Sequence, residues 1–242
     1  MLKAATNKVM NLLLPPRCIS CGELVNDVGS LCGKCWAEID FINEPLCISC
    51  GYPLEPTAGK NSICGHCIME EPPYKAGRSV FCYNDKSKSL ILDFKYSDKI
   101  QSAKRYATWM LNSAKDLIED SDYIVPVPLH WRRLVERRYN QAAIISNEIA
   151  KISGKKVLSQ GLIRKKYTPP QVSLTRKQRL KNVKGAFAVN PRLAERIKGK
   201  KLVLVDDVMT TGATINECVE ILNKAGAAAV FVVTLGRTVE GR

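Results

Sequence analysis

Beyond Pro72-Pro73 the apolar positions of this chain alternate between short continuous runs and helix-spaced sets. Ser79 to Tyr83 reads as a strand, and Leu90-Ile91-Leu92 with Phe94 then follow at helical spacing. The stretch from Ser102 to Ile118 has the same helical spacing, and Tyr123 to Leu129 reads as a buried strand ending in a constrained, proline-rich turn. A helix is expected from about Asn140 to Ile152, with Ala143, Ile144, Ile149 and Ile152 on its inner face. Leu202 to Val205 is a fully buried strand type. A Gly-containing turn, a helix from about Ala213 to Ala225 and a strand from Ala229 to Leu235 complete the pattern. Strands alternating with helices predict an α/β fold with a mainly parallel sheet.

The first part of the chain, residues 1–74, has a different texture. Met1 to Leu14 carries Lys3 and Lys8 beside a short apolar Leu12-Leu13-Leu14, and reads as an amphipathic helix stopped by Pro15-Pro16. It lacks the apolar core and small-residue cleavage site of a secretory leader. No apolar run approaches the roughly 20 residues of a membrane-spanning helix, so no membrane span and a cytoplasmic location are expected.

Eight of the ten cysteines form four C-x-x-C pairs: Cys18/Cys21, Cys32/Cys35, Cys47/Cys50 and Cys64/Cys67. Such a turn lets two thiolates reach one metal, and two turns complete a tetrahedral zinc site. Cys18-Ile-Ser-Cys-Gly22 and Cys47-Ile-Ser-Cys-Gly51 are identical and 29 residues apart, and each is followed by a second pair after ten or thirteen residues. That is the pattern of a duplicated zinc ribbon. Self-contained repeats would give one zinc to Cys18, Cys21, Cys32 and Cys35, and another to Cys47, Cys50, Cys64 and Cys67; interleaved pairing remains open at this point. Disulfides are the competing reading, against which the expected cytoplasmic location argues. A stretch this rich in Gly, Pro and Cys buries little apolar surface, so metal would supply its folding energy. Four thiolates close the coordination sphere, which makes the zinc structural. His66 is expected to face solvent, and Cys82 and Cys218 to be ordinary buried residues.

Charge adds a second asymmetry. The net charge is +14, from 37 Lys/Arg and 23 Asp/Glu. Between Lys151 and Lys201 there are 16 basic residues and one acid, Glu195, while the rest of the chain holds 21 basic and 22 acidic residues. The basicity therefore belongs to one stretch, either a solvated face or the partner of something anionic.

The strongest chemistry lies in Leu202-Val-Leu-Val-Asp-Asp-Val-Met-Thr-Thr-Gly-Ala-Thr214. A buried strand ends in Asp206 and Asp207, and a threonine-rich loop around Gly212 leads into a helix. Backbone N–H groups and the hydroxyls of Thr210, Thr211 and Thr214 can converge on a phosphate at the helix N-terminus. Gly212 lets the backbone come close, and the acids can accept hydrogen bonds from sugar hydroxyls. The segment lacks the lysine of a G-x-x-x-x-G-K-[ST] loop, which argues against nucleotide hydrolysis.

This segment closely resembles the motif by which type I phosphoribosyltransferases bind 5-phosphoribosyl-1-pyrophosphate (PRPP). The resemblance implies that Asp206 and Asp207 contact the ribose hydroxyls and that Thr210, Thr211, Gly212, Ala213 and Thr214 hold the 5-phosphate. The whole chain resembles the ComF family of competence-associated proteins, which includes the GntX-type proteins. The residues that carry this are Leu14-Pro-Pro-Arg-Cys18, Phe94-Lys-Tyr96, Val127-Pro-Leu-His130, Asn140-Gln141-Ala142, Pro170-Gln171, Asn182 and Gly185-Ala-Phe187. Arg138 departs from it, standing where that family usually has Gly. The resemblance implies a type I phosphoribosyltransferase fold over residues 75–242, with Arg164 to Lys184 as a mobile loop over pyrophosphate. Arg176, Arg179 and Lys181 are its candidate catalytic contacts and Mg²⁺ the expected partner ion. His130 is either a polar contact to the ligand or a structural histidine.

Three functions compete. Family membership implies a PRPP-binding protein that handles single-stranded DNA during competence, with Trp131, Tyr139, Tyr167 and Phe187 as aromatics near the charge that can stack on bases. A metabolic transferase joining PRPP to a nucleobase or amine is the second; Gly236 to Arg242 is too short for a base-binding hood, which leaves the zinc module as cover. The third makes the ribbons a docking module for a helicase-like partner and the PRPP site a regulatory sensor.

Overall fold

The computed structural model describes residues 15–96, 100–168 and 176–239. The expected helix over Met1 to Leu14 and the Pro169-Pro170-Gln171 segment lie outside the described residues.

Each ribbon is a pair of knuckles, and the second knuckle of each sits on a short helix. Cys32 caps and Cys35 lies within α1 (Gly33–Glu38), and Cys64 and Cys67 hold the same places on α2 (Gly65–Met69). Residues three apart on a helical turn share a face, so both thiols of a pair point the same way. The glycine ending each C-I-S-C-G repeat has a left-handed backbone, with φ 79° at Gly22 and φ 68° at Gly51. Its N–H closes the turn onto the first cysteine's carbonyl, at 3.0 Å from Gly22 to Cys18 and 2.8 Å from Gly51 to Cys47.

The strands, in chain order, are β1 (Ala76–Cys82), β2 (Tyr123–Pro126), β3 (Lys156–Val157), β4 (Leu162–Arg164), β5 (Phe187–Val189), β6 (Lys201–Met209) and β7 (Ala229–Arg237). A parallel sheet runs in the order β1-β7-β6-β2-β3, and β4 and β5, both within the basic stretch, pair antiparallel as a separate hairpin-like unit. The helices of this part are α3 (Lys88–Tyr96), α4 (Ala103–Ser113), α5 (Lys115–Glu119), α6 (Trp131–Arg137), α7 (Gln141–Ser153), α8 (Arg176–Val183) and α9 (Ala213–Lys224).

β6 shows why its sequence has no polar alternation. Val203 and Val205 face one layer, with Phe231, Val233 and Leu235 of β7, Phe94, Met110, Ile145 and Ile149. Leu202 and Leu204 face the other, with Val230 and Val232, α9 and the β4–β5 pair. A parallel strand covered by helices on both faces must be apolar at every position. The two ribbons divide the same way. Ile19 and Ile39 of the first enter the former layer, and the four cysteines of the second border the latter.

The ribbons also cover the open edge of the sheet. Along β1, Ile42 N–H donates to Val80 O (2.9 Å), Cys82 N–H to Asp40 O (2.8 Å) and Gly77 N–H to Ser49 O (2.7 Å). Unpaired edge groups would otherwise invite strand addition from another chain. The approach is close: a Cβ on Gly51 would lie 2.4 Å from the Gly77 carbonyl oxygen.

Several expected elements shift. The buried positions of α7 are Ala142, Ile145 and Ile149 together with Gln141 and Ser146, while Ile152 is 44% exposed. The helical stretch from Ser102 to Ile118 breaks at Ala114 into α4 and α5. The strand from Tyr123 ends at Pro126, and β6 and β7 pair on to Met209 and Arg237.

Arg138 ends α6 at φ 64°, ψ −21°. An L-residue with a Cβ is strained there. We expect Arg138→Gly to raise stability by about 0.5 kcal/mol, the relief of strain exceeding the entropy that glycine adds to the unfolded chain. A higher urea midpoint at unchanged slope is the readout.

Candidate functional site

Two thiol tetrads form. Cys18, Cys21, Cys32 and Cys35 lie within 4.8 Å of one another at Sγ, as do Cys47, Cys50, Cys64 and Cys67. The repeats are therefore self-contained, and interleaved pairing is excluded. Cross-knuckle Sγ···Sγ separations of 3.6 Å, Cys21 to Cys32 and Cys50 to Cys64, suit a tetrahedral metal. A Zn–S bond of about 2.3 Å requires sulfurs roughly 3.8 Å apart. Burial and thiol crowding push Cys35 up to about 12 and raise Cys67 further. A divalent cation removes that penalty by taking all four as thiolates. Each tetrad thus fits one structural zinc. His66 is exposed outside the second tetrad, and Cys82 and Cys218 are buried apart from both.

The acid pair is built by β6. Successive residues of a strand point to opposite faces, so Asp207 follows Val203 and Val205 into the α3 layer. Asp206 follows Leu202 and Leu204 toward α9 and β4. Lys95 acts on both carboxylates, and Arg164 adds a second cation on the Asp206 side. Lys95 of α3 reaches Asp207 with Nζ 3.0 Å from Oδ2, both side chains being largely buried. Arg164 of β4 is the cation that acts on Asp206 from the other layer. Asp206 Oδ1 accepts from the Asp207 N–H at 2.8 Å. Burial and the adjacent Asp207 charge nevertheless push Asp206 up to about 7.

Both cations are themselves fixed. Tyr139 donates from its hydroxyl to Phe94 O (3.1 Å) and Gln141 from Nε2 to Lys95 O (3.4 Å), which sets the backbone that carries Lys95. Asn140 caps α7 and donates to Val127 O (3.0 Å), tying the same corner to the turn after β2. Arg164 donates to Thr168 Oγ1 (2.6 Å) and lies 5.0 Å from the Phe187 ring centroid, while its buried Nε has no hydrogen-bond partner among the described residues.

After β6, Thr210 is exposed and Thr211 half-buried, and Gly212 is left-handed at φ 75° as the N-cap of α9. Ala213 is buried, so only its N–H can serve an anion, whereas Thr214 is half-buried on the first helical turn. His130 is 6% exposed and caps α6, its Nδ1 accepting from Arg132 N–H at 3.3 Å. Burial, then Arg132, Arg164 and Arg133, pull it below the usual histidine value, so it is a neutral imidazole at pH 7. Lys181 is exposed on α8, while the side chains of Arg176 and Arg179 lie outside the described residues.

A cleft of about 480 Å³ opens between the phosphate-type loop and the second ribbon. Tyr52, Glu70 and Tyr74 line it from the ribbon side, facing Thr211 and Gly212. Arg237 stands between them, donating from Nη1 to Cys50 O (2.5 Å) and lying 5.2 Å from the Tyr52 ring centroid. The zinc module thus forms one wall of this cleft.

Residues 9–68 match the double zinc ribbon domain, and residues 140–241 match the phosphoribosyl transferase domain. The chain is 31% identical to Competence protein F of Haemophilus influenzae over 227 residues, 91% of this chain and 96% of that protein. It belongs to the ComF family. Within that family it is also 34% identical to DNA utilization protein YhgH of Salmonella typhi over 199 residues, 80% of this chain and 84% of that one. Competence protein ComFC of Bacillus subtilis is 26% identical over 220 residues, 86% and 84% of the two chains. The fold is that of the phosphoribosyltransferases, preceded by the double ribbon.

Lys95, Arg164 and Arg237 were not singled out as site residues from the sequence. Lys95 had a signal, since it lies in the family-like Phe94-Lys-Tyr96. Arg164 and Arg237 look like ordinary strand-end cations until the layers assemble.

Metal analysis by mass spectrometry should find two zincs in the purified protein. Cys47→Ser should retain one zinc and unfold at a lower temperature, because its ribbon also covers β1; two retained zincs would contradict the tetrad.

Proposed function

We propose that this protein binds PRPP, with Mg²⁺ on its pyrophosphate, and that it handles single-stranded DNA for competence. The observation that carries the ligand is the acid pair at the end of β6, joined through left-handed Gly212 to the start of α9. In this reading Asp206 and Asp207 accept from the ribose hydroxyls. The Thr210 and Thr211 hydroxyls and the N–H groups from Gly212 to Thr214 hold the 5-phosphate, aided by the positive end of α9. Arg176, Arg179 and Lys181 approach the pyrophosphate from the basic stretch. Mg²⁺, a hard cation suited to phosphate oxygens, would neutralise charge there. The names of the relatives, competence and DNA utilization, support the DNA role, as does the localised basicity.

Asp206 gives the binding a pH signature. Its neutral form prevails below about 7 and its charged form above. A carboxylate accepts hydroxyl bonds more strongly than a carboxylic acid, so PRPP affinity should rise between pH 6 and 8 (roughly one unit either side of that value). Asp206→Asn should remove the rise that wild type shows over the variant. Calorimetry with and without Mg²⁺ is the measurement. Asp206→Asn/Asp207→Asn should lose at least tenfold in affinity, about 1.4 kcal/mol; unchanged affinity would sink the assignment.

The roofed cleft favours a second reading, transfer of ribose 5-phosphate to a nucleobase or amine. Its volume suits a small planar acceptor stacked near Tyr74. Cations around the pyrophosphate would stabilise the departing charge, and the acids would orient the sugar. Release of pyrophosphate with one compound from a panel of bases and amines is expected in this reading. Silence across the panel with PRPP still bound would leave the binding role alone.

A further inference from the structure

None of the residues of helix α6 is buried. Packing of an apolar face normally sustains a helix this short. α6 is held by its ends instead, by the His130 cap and the left-handed Arg138. Trp131 is 63% exposed, and Leu134 and Val135 beside it are exposed too. Arg132, Arg133 and Arg137 share the helix with one acid, Glu136.

Cations and rings on this helix form two groups of closely spaced planes. The Arg132 guanidinium lies 5.4 Å from the Trp131 ring centroid and 5.3 Å from that of Tyr167, which is itself 43% exposed. The His130 ring stands 5.6 Å from Trp131 and 5.4 Å from Tyr167. About one and a half turns further along α6, and so on another side of the helix, a second cation–ring pair occurs. Arg137 lies 5.2 Å from the Tyr96 ring centroid and donates to its hydroxyl at 3.1 Å. Tyr96 is 67% exposed. Of the other aromatics near the basic stretch, Phe187 is buried and Tyr139 is tied to Phe94 O.

We propose that this ridge, Trp131, Arg132, Arg137, Tyr96 and Tyr167, is where the protein binds single-stranded DNA; the proposal rests on the reading that the chain handles such strands. Rings with guanidinium groups against them match a ligand that alternates planar bases with phosphates. Duplex DNA keeps its base faces stacked inside, and an acidic peptide would use the arginines and leave the rings without partners. The ridge is continuous with the basic stretch through exposed Lys165 and Lys166 next to Tyr167. It also meets the proposed PRPP site at Thr168, whose carbonyl accepts from Arg133 (3.1 Å) and whose hydroxyl accepts from Arg164 (2.6 Å). A strand on the ridge would therefore lie beside the pyrophosphate end of the ligand.

The test is fluorescence anisotropy of a labelled oligothymidylate with the full chain at low salt. Trp131→Ala and Tyr167→Ala should each weaken binding roughly tenfold, the loss of one stacked base. Trp131→Phe keeps a ring and should bind nearly as wild type does. Arg132→Ala should lower the slope of log affinity against log salt by about 0.7, one phosphate contact on a single strand. Lys224→Ala, at the far end of α9 and outside the basic stretch, should change neither. Wild type that binds the strand while both alanine variants bind it equally well overturns the ridge and leaves the DNA reading standing. Wild type that binds no strand at low salt overturns both.

Discussion

Two adjacent carboxylates at the end of a strand buried on both faces constrain much of the architecture around them. A strand cannot aim consecutive side chains the same way, so Asp206 and Asp207 enter different layers. Neither layer is wet enough to leave a charge alone. The protein answers with one cation per layer, Lys95 from α3 and Arg164 from β4. The answer is unequal. Lys95 makes a direct ion pair with Asp207, whereas burial and the neighbouring Asp207 charge push Asp206 up to about 7. The pair therefore combines an ion-paired carboxylate with one whose protonation burial favours.

Supplying those cations explains residues that otherwise look scattered. Tyr139 and Gln141 hold the carbonyls of Phe94 and Lys95, and Asn140 holds Val127. The corner between α6 and α7 thus serves the acid pair without touching it. Arg138 sits at the same corner, its left-handed backbone ending α6 two residues before Asn140 caps α7. Arg164 is anchored by Thr168 and covered by Phe187, so the β4–β5 pair that carries the basic stretch also delivers the second counter-charge. Structural and ligand-facing roles meet in the same few side chains.

How much of this the sequence discloses depends on who sets the pattern. Zinc chemistry sets the cysteine spacings, so the tetrads read directly from the C-x-x-C pairs, and only the pairing needed coordinates. Burial on both faces sets the Leu202 to Val205 run, which reads as a parallel strand for the same reason. The face of α7 reads poorly because Gln141 and Ser146 are buried beside Ala142, Ile145 and Ile149, and polar residues in a buried stripe disguise its phase. Lys95 is harder still: a lysine on a helix reads as surface until a carboxylate from a distant strand is placed against it. The edge cover of β1 cannot be read at all, since it consists of backbone hydrogen bonds that no side chain announces. Arg176 and Arg179 remain candidates on family resemblance alone.

The zinc ribbons connect stability to the site. Few apolar residues line them, so their shape depends on the metal, and that shape does two jobs at once. Backbone groups from Asp40 to Ser49 complete the hydrogen bonding of β1. The second ribbon, through Tyr52, Glu70 and Tyr74, closes the cleft over the phosphate-type loop. Arg237 links the jobs physically, since it ends β7 in the sheet, binds the Cys50 carbonyl inside the knuckle and lines the cleft. Removing the metal would uncover a strand edge and unroof the site in one step. Edge cover and roof are thus built from one stretch of chain, which distinguishes this cover from a hood built on a loop.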